Sequence, residues 1–314
     1  MRYILILVLL ATVGCKKKMD KEKELTKGME PQVVSLLGIT YYEPLRDEKT
    51  QQKLEQNLKE AKKRFKANPS EENYIWLGRR MAYLSHYVHA IEIFSEGIEE
   101  YPDSYKLYRH RGHRYISIRD FDKAIDDLEK AASLMPKDTL EIEPDGIPNK
   151  INQPLSNTQF NVWYHLALAY YLNGDFNIAN KLYDKCMKTS VNDDLVCATT
   201  DWKYMTLRRL GEKSQADSLL QLIDRDMQII ENESYHKRLL MYKGLMSPDS
   251  LLEVSSANPD PDLALATQGY GVGNWYLYNG DSTRAYDIFN KVIEGKHWSA
   301  FGFIAAEAEL SRQD

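Results

Sequence analysis

The sequence has little cysteine, no long apolar run and no excess of basic charge. Three cysteines in 314 residues are too few for a disulfide scaffold. No run approaches the ~20 consecutive apolar residues that span a bilayer, which excludes a polytopic membrane protein. The 41 basic residues are outnumbered by 46 acidic residues, a balance that disfavours nucleic-acid binding. With 43% apolar and 11% aromatic residues, however, the chain can bury a core.

Residues 1–14 have the features of a bacterial export signal. An eleven-residue apolar run, residues 3–13, is right for a signal-peptide core and too short to span a membrane. It ends in the sequence TVGC, which resembles the lipobox of bacterial lipoproteins. That resemblance implies a multiply acylated, palmitate-bearing Cys15 in the cell envelope. Thr12 stands where leucine is usual, so a cleavable signal followed by a coincidental cysteine remains the alternative.

Residues 15–31 are expected to form a lipidated cysteine and a charged, flexible tether. Six lysines and four acidic residues lie in residues 16–31, with almost no apolar side chains that could be buried. The leading lysines could also contact acidic lipid headgroups. Lys16 follows the cysteine, in place of the aspartate that signals inner-membrane retention in some lipoproteins. We therefore expect the outer membrane, with membrane contact only through the lipid anchor.

The body of the chain repeats with a period of 34 residues. Glycine, alanine and proline recur at this spacing, in the pairs Gly78 and Gly112, Ala90 and Ala124, and Pro102 and Pro136. A third unit has the same spacing in residues 163–186, and weaker copies follow. Small residues such as Gly78 and Ala90 let two antiparallel helices approach closely, and proline ends the second helix. Each helix pair leaves an apolar face open, so neighbouring pairs must stack.

This pattern resembles the tetratricopeptide repeat and implies an all-α, right-handed superhelix of about five to six helix pairs. A degenerate pair is expected in residues 233–258. The apolar segment 32–46 is expected to pack back on the array or on a partner. The predicted organisation has an N-terminal segment and capping helix (32–69), repeats one and two (70–138), an insertion (139–159), the remaining repeats (160–297) and an amphipathic C-terminal capping helix (298–314).

The insertion interrupts the period, because Ala124 and Ala179 are 55 residues apart. Three prolines and the turn signal Asp145-Gly146 exclude a helix and predict a short hairpin or an ordered loop. Insertions in repeat arrays often lie on a binding face, but a loop that is merely tolerated is an equal alternative.

No catalytic, metal or cofactor site is predicted. His110 and His113 lie one helical turn apart, but three arginines surround them and no third ligand is placed. No motif for a nucleophile, a zinc protease or a phosphate loop is present. We therefore expect no enzyme and no cofactor. Cys186 and Cys197 could form a disulfide only if their Cα atoms lie within about 7 Å, which the sequence leaves open.

The concave groove of such an array is lined by the first helix of each pair. The residues at the groove positions are basic or aromatic, a character suited to acidic or carboxylate-bearing peptides. The alternative is that the basic side chains only solvate a helix face while the tyrosines pack in the core. These candidate residues are Arg79, Tyr83, Lys106, Arg109, His113, Asn161, Tyr164 and Tyr171.

The chain resembles NlpI-type envelope lipoproteins in the order of its parts. These parts are the lipidated cysteine, the early repeats and the segments 239–253 and 274–295. The resemblance implies a non-catalytic adaptor that gathers envelope proteins, such as cell-wall hydrolases or proteases, and that forms a homodimer. A different hypothesis is a glycan- or peptidoglycan-fragment-binding protein. It requires Tyr83, Tyr164 and Tyr171 to be exposed as stacking platforms on one concave face.

Overall fold

The computed structural model describes residues 30–253 and 261–313. The predicted signal peptide, Cys15 and the tether up to residue 29 lie outside these described residues. No helix within them is long and apolar enough to cross a membrane.

The described chain begins with a β-hairpin and continues in α-helices. Strands β1 (Pro31–Val34) and β2 (Thr40–Tyr42) are antiparallel, and Val33 pairs with Tyr41. The helices are α1 (Glu48–Ala67), α2 (Glu71–Tyr83), α3 (Tyr87–Glu100), α4 (Tyr105–Ser117), α5 (Phe121–Leu134), α6 (Thr158–Asn173), α7 (Phe176–Met187), α8 (Asp193–Arg209), α9 (Lys213–Leu219), α10 (Glu233–Tyr242), α11 (Pro248–Leu252), α12 (Pro261–Tyr278), α13 (Ser282–Ile293) and α14 (Phe301–Ser311).

The helices form six antiparallel pairs, from α2/α3 to α12/α13. The turn inside each pair contains one residue in the left-handed backbone conformation. Ser85 and Arg119 adopt it at φ 66° and 68° in the first two pairs. Glycine, which has no Cβ to clash there, takes the place in the later four turns, at Gly174, Gly211, Gly244 and Gly280. The fold is thus an all-α superhelix with six helix pairs in the described ranges, and the short pair α10/α11 lies within the segment expected to be degenerate.

Close helix contact inside the first two pairs depends on glycine. A Cβ built on Gly78 would lie 2.3 Å from the Phe94 ring, and one on Gly112 would lie 2.8 Å from Leu128 Cγ. From the sequence, Gly78 and Ala90 are the small residues expected at this contact. The nearest atoms are instead those of the phenylalanine ring one turn farther along α3, so the glycine makes room for an aromatic side chain.

The C-terminal helix α14 is buried on all sides, and the expectation of an amphipathic cap is wrong. Every residue from Gly302 to Leu310 is buried. The reason is its position, because α14 packs against α12, α13 and also α6, inside the array. Its Glu307 is fully buried and forms an ion pair with Arg119 at 2.9 Å, on the turn between α4 and α5.

The N-terminal hairpin packs against the C-terminal helix α14 and the segment just before it. Tyr41 stacks on Trp298 with ring centroids 5.7 Å apart, and the Trp298 Nε1–H donates to the Tyr42 carbonyl oxygen at 2.9 Å. The backbone N–H of Leu36 donates to Glu307 Oε1 at 2.8 Å. Of the two alternatives for residues 32–46, the structure shows packing on the array itself. The first and last segments of the described chain are therefore in contact.

Cys186 and Cys197 are both buried and free. Cys186 Sγ lies 3.2 Å from Thr199 Oγ1, and Cys197 Sγ lies 3.8 Å from Met227 Sδ. The disulfide that the sequence left open is therefore not formed.

Candidate functional site

A cavity of about 400 Å³ lies on the concave face of the array. The first helices of five pairs, α2, α4, α6, α8 and α10, supply most of its wall. The insertion covers it, and Phe301 at the start of α14 lies at its inner end. Side-chain caps fix the beginnings of these helices: Ser104 Oγ accepts from Leu107 N in α4, and Asn157 Oδ1 accepts from Phe160 N in α6. The cavity is thus built on rigid elements.

The insertion places its carboxylates on the basic side chains of α4. Lys106 Nζ lies 2.6 Å from Glu141 Oε2, and Arg109 Nη2 lies 2.9 Å from Glu143 Oε1. The first pair is partly exposed, whereas both side chains of the second are over nine-tenths buried. The groove that the sequence predicted to be basic is therefore largely neutralised by the chain itself.

The backbone of the insertion is held by α2. Arg79 Nη2 donates to the Pro144 carbonyl oxygen and Arg80 Nη1 donates to the Gly146 carbonyl oxygen, both at 2.8 Å. A Cβ built on Gly146 would overlap the hydroxyl group of Tyr83, so a larger residue at this position would require the Tyr83 ring to move. Two guanidinium groups and one close approach thus fix residues 144–146 over the groove.

Burial sets the charge state of the groove side chains. Desolvation lowers the pKa of Arg109 to about 10, against the opposing charge of Glu143, so the guanidinium stays charged at neutral pH. Desolvation, together with neighbouring arginine charges, holds the pKa of His113 and of His165 well below the usual value. The two imidazole rings lie 4.1 Å apart and are neutral at neutral pH. The positive charge of this groove therefore comes from arginine and lysine.

Six of the eight residues proposed from the sequence line this one cavity: Arg79, Tyr83, Arg109, His113, Asn161 and Tyr164. Lys106 lies beside a neighbouring cavity of about 360 Å³, which also contacts Arg79 and Glu143. Tyr171 is elsewhere, in the core between repeats three and six. Its hydroxyl lies 2.5 Å from Tyr270 Oη and accepts from Asn274 Nδ2 at 2.9 Å.

The tyrosines do not form a stacking platform. Tyr164 is 5% exposed and Tyr171 is 1% exposed, and only Tyr83 is partly accessible. The glycan-binding hypothesis required all three to be exposed on one concave face. The structure contradicts that requirement, because the rings of Tyr164 and Tyr171 are buried.

Sequence reasoning missed the groove residues that come from distant parts of the chain. Tyr235 and Asn232 reach the cavity from repeat five, and Phe301 reaches it from the C-terminal helix. No local pattern marks these residues. The acidic residues of the insertion did carry a signal, since Glu141, Glu143 and Asp145 alternate with other residues opposite a basic helix.

In chemical terms the site offers charged donors to carboxylates and to backbone carbonyl groups. The described ranges contain no group of three or more His, Cys, Asp or Glu side chains that could hold a metal ion. Arg79 and Arg109 can each form charge-assisted hydrogen bonds, which are the strong ones in recognition of extended acidic chains. The geometry therefore suits peptide binding.

Two family models described as "Tetratricopeptide repeat" match this chain, over residues 105–138 and 161–190. These ranges are the helix pairs α4/α5 and α6/α7. No curated protein matches the chain.

Among solved structures, one similar chain is a tetratricopeptide repeat protein from Parabacteroides merdae, with 13% identity and a TM-score of 0.48. The match covers 82% of this chain and 92% of that one. Another is YrrB, described as a TPR protein with an unusual peptide-binding site, with 15% identity and a TM-score of 0.41. It covers 80% of this chain and 97% of that one.

Proposed function

We propose that this protein, in which at least two of the six helix pairs are tetratricopeptide repeats, is a non-catalytic interaction scaffold of the bacterial cell envelope. It binds partner proteins in the concave groove and is anchored through Cys15. Its partners are envelope proteins, such as cell-wall hydrolases or proteases, that present acidic or carboxylate-bearing segments.

The single observation that carries this proposal is the cavity itself. Buried or half-buried Arg79, Arg109 and Asn161 converge on it from three successive helix pairs. Arg79 already binds a main-chain carbonyl oxygen, and Arg109 already binds a carboxylate. A polypeptide with acidic side chains offers both kinds of acceptor. The groove thus has the donors that such a partner needs.

The experiment is in-cell crosslinking and co-purification of the tagged full chain, followed by mass spectrometry. One variant carries Arg79→Gln and Lys106→Gln. A matched control carries Lys130→Gln and Lys181→Gln, on α5 and α7, which line neither cavity. Both variants lose two positive charges.

We expect a stoichiometric partner with the wild type and the control that is lost with the groove variant. A partner retained by both variants would contradict the groove as its site. The absence of any partner in all three samples would contradict the scaffold itself.

The envelope anchor is tested separately. Wild type and Cys15→Ser are grown with labelled palmitate, and the membranes are fractionated. We expect label and outer-membrane recovery only for the wild type. An unlabelled wild type would favour the cleavable signal instead. The homodimer stays a prediction, to be checked by light scattering of the purified chain.

A further inference from the structure

The insertion has an inverted distribution of apolar and charged side chains. Ile142 is 71% exposed and Ile147 is 64% exposed, whereas Glu143 is only 8% exposed. An ordinary surface loop would turn its isoleucines inward and its carboxylates to water. In this loop the alternation of an extended chain leaves Leu140 and Ile142 exposed and brings Glu141 and Glu143 onto the cations of α4. The glutamates thus help to order the insertion, together with the arginine contacts to its backbone and a short backbone pairing in which Glu143 N donates to Ser156 O at 3.0 Å and Thr158 N donates to Glu141 O at 2.8 Å.

The spacing of these carboxylates matches the spacing of the cations. Lys106 and Arg109 are three residues apart on α4, which places their side chains about 5–6 Å apart at Cβ. Glu141 and Glu143 are two residues apart on an extended chain, or roughly 7 Å. A chain with the pattern Glu-x-Glu can thus meet both cations in one extended conformation, as the two observed ion pairs show.

The Arg109–Glu143 pair is incomplete. In the described structure Arg109 Nε and Glu143 Oε2 are both buried and have no hydrogen-bond partner. The guanidinium could form two parallel bonds with a carboxylate, but it forms one contact here. The insertion thus occupies the groove but leaves one donor of Arg109 and one acceptor of Glu143 without a hydrogen bond. Another carboxylate that binds Arg109 in the two-bond geometry would bind more favourably.

We infer that the groove recognises an extended segment with carboxylates two residues apart, and that residues 141–146 are a tethered copy of that segment which the partner displaces. This inference rests on the proposed function and names the partner class and the regulation of the same site. A tethered segment competes at high effective concentration, so it weakens the apparent affinity for every partner in solution.

The test uses a fluorescent peptide with the sequence of residues 140–149, LEIEPDGIPN, and fluorescence anisotropy with the purified protein. The insertion variant carries Glu141→Gln, Glu143→Gln and Asp145→Asn. A matched control carries Glu99→Gln, Asp122→Asn and Asp126→Asn on exposed positions of α3 and α5. The single substitution Glu143→Gln is a milder second variant, and circular dichroism checks that each variant is folded.

We expect the insertion variant to bind the peptide at least ten-fold more tightly than the wild type, and the control to bind like the wild type. The Glu143→Gln variant should lie between them. A peptide with the same three neutral substitutions should not bind. Equal affinity of the wild type and the folded insertion variants would overturn the inference, as would equal binding of the neutral peptide.

This assay needs no natural partner, so its failure is distinguishable from failure of the scaffold proposal. If peptide binding follows the expectation while crosslinking yields no partner, the inferred peptide specificity of the groove is supported and the proposed scaffold function is contradicted. If a partner is captured through the groove but the insertion variant gains no affinity for the peptide, the scaffold function is supported and the displacement of the insertion is contradicted.

Discussion

Replacing Glu307 by alanine should be among the most damaging single changes to this fold. The carboxylate is fully buried and accepts from Arg119 Nε at 3.1 Å, from Arg119 Nη2 at 2.9 Å and from the Leu36 N–H at 2.8 Å. Alanine would leave the Arg119 charge buried without its counter-ion, which costs roughly 3–5 kcal/mol. The same guanidinium also donates to the Ser117 and Trp298 carbonyl oxygens. Because these two hydrogen bonds would remain in the alanine variant, we expect a loss of stability near the lower end of that range.

The assay is urea unfolding followed by circular dichroism, with two matched variants. Glu307→Gln keeps an acceptor for Leu36 but loses the charge, and should cost about 1–3 kcal/mol. Glu233→Ala removes an exposed pair with Lys237 on α10 and should cost about 0.5 kcal/mol or less. Hydrogen exchange at the Leu36 amide should accelerate in the alanine variant. A Glu307→Ala protein as stable as Glu233→Ala would refute the reasoning.

Three further predictions follow from the core. Gly78→Ala forces its new methyl group against the Phe94 ring and should destabilise the protein by about 1–3 kcal/mol in thermal unfolding, whereas exposed Ser133→Ala should be neutral. In a Cys15→Ser variant the thiols of Cys186 and Cys197, whose pKa burial raises to about 12, should react with iodoacetamide only after unfolding, and labelling of either one in the native state would contradict their burial. Burial also lowers the pKa of three histidines well below the ordinary value, so the unfolded chain takes up protons first as the pH falls. Stability should therefore be complete above about pH 6.5 and fall toward pH 5, by up to about 1.4 kcal/mol per pH unit for each histidine. These histidines are His110, His113 and His165. Urea unfolding at pH 7.5 and at pH 5.5 measures how much stability the wild type loses between the two pH values. The prediction is refuted if a variant with glutamine at all three positions loses as much stability as the wild type.

Most of the fold could be predicted from the repeat spacing, because each helix pair is specified by residues that lie close together in the sequence. Glycine at 78 and 112 and the turn residues at fixed offsets specify a pair from its own sequence. Contacts between distant segments have no such signature. Inside the array Glu307 of α14 contacts Arg119, 188 residues away, and nothing in the sequence near either residue indicates this contact.

The repeat pattern also explains which of the groove residues could be predicted from the sequence. Positions within a repeat predict which side of a helix faces inward, and six of the eight candidates do line one cavity. Tyr171 departs from this pattern because α12 and α14 fill the concave side at repeat three, where the ring packs against Tyr270. The insertion could not be placed from the period, since it interrupts the period.

The most direct test of the account is site-specific photocrosslinking in the living cell. A benzoylphenylalanine at Tyr235, which lines the groove, is compared with one at Ile178, which is 42% exposed on α7. The account predicts a discrete adduct with one envelope protein at position 235 and none at position 178, the adduct growing stronger when the insertion carboxylates are neutralised. An adduct at position 178 alone, or none at either position, would contradict the central claim that the concave groove binds the partner.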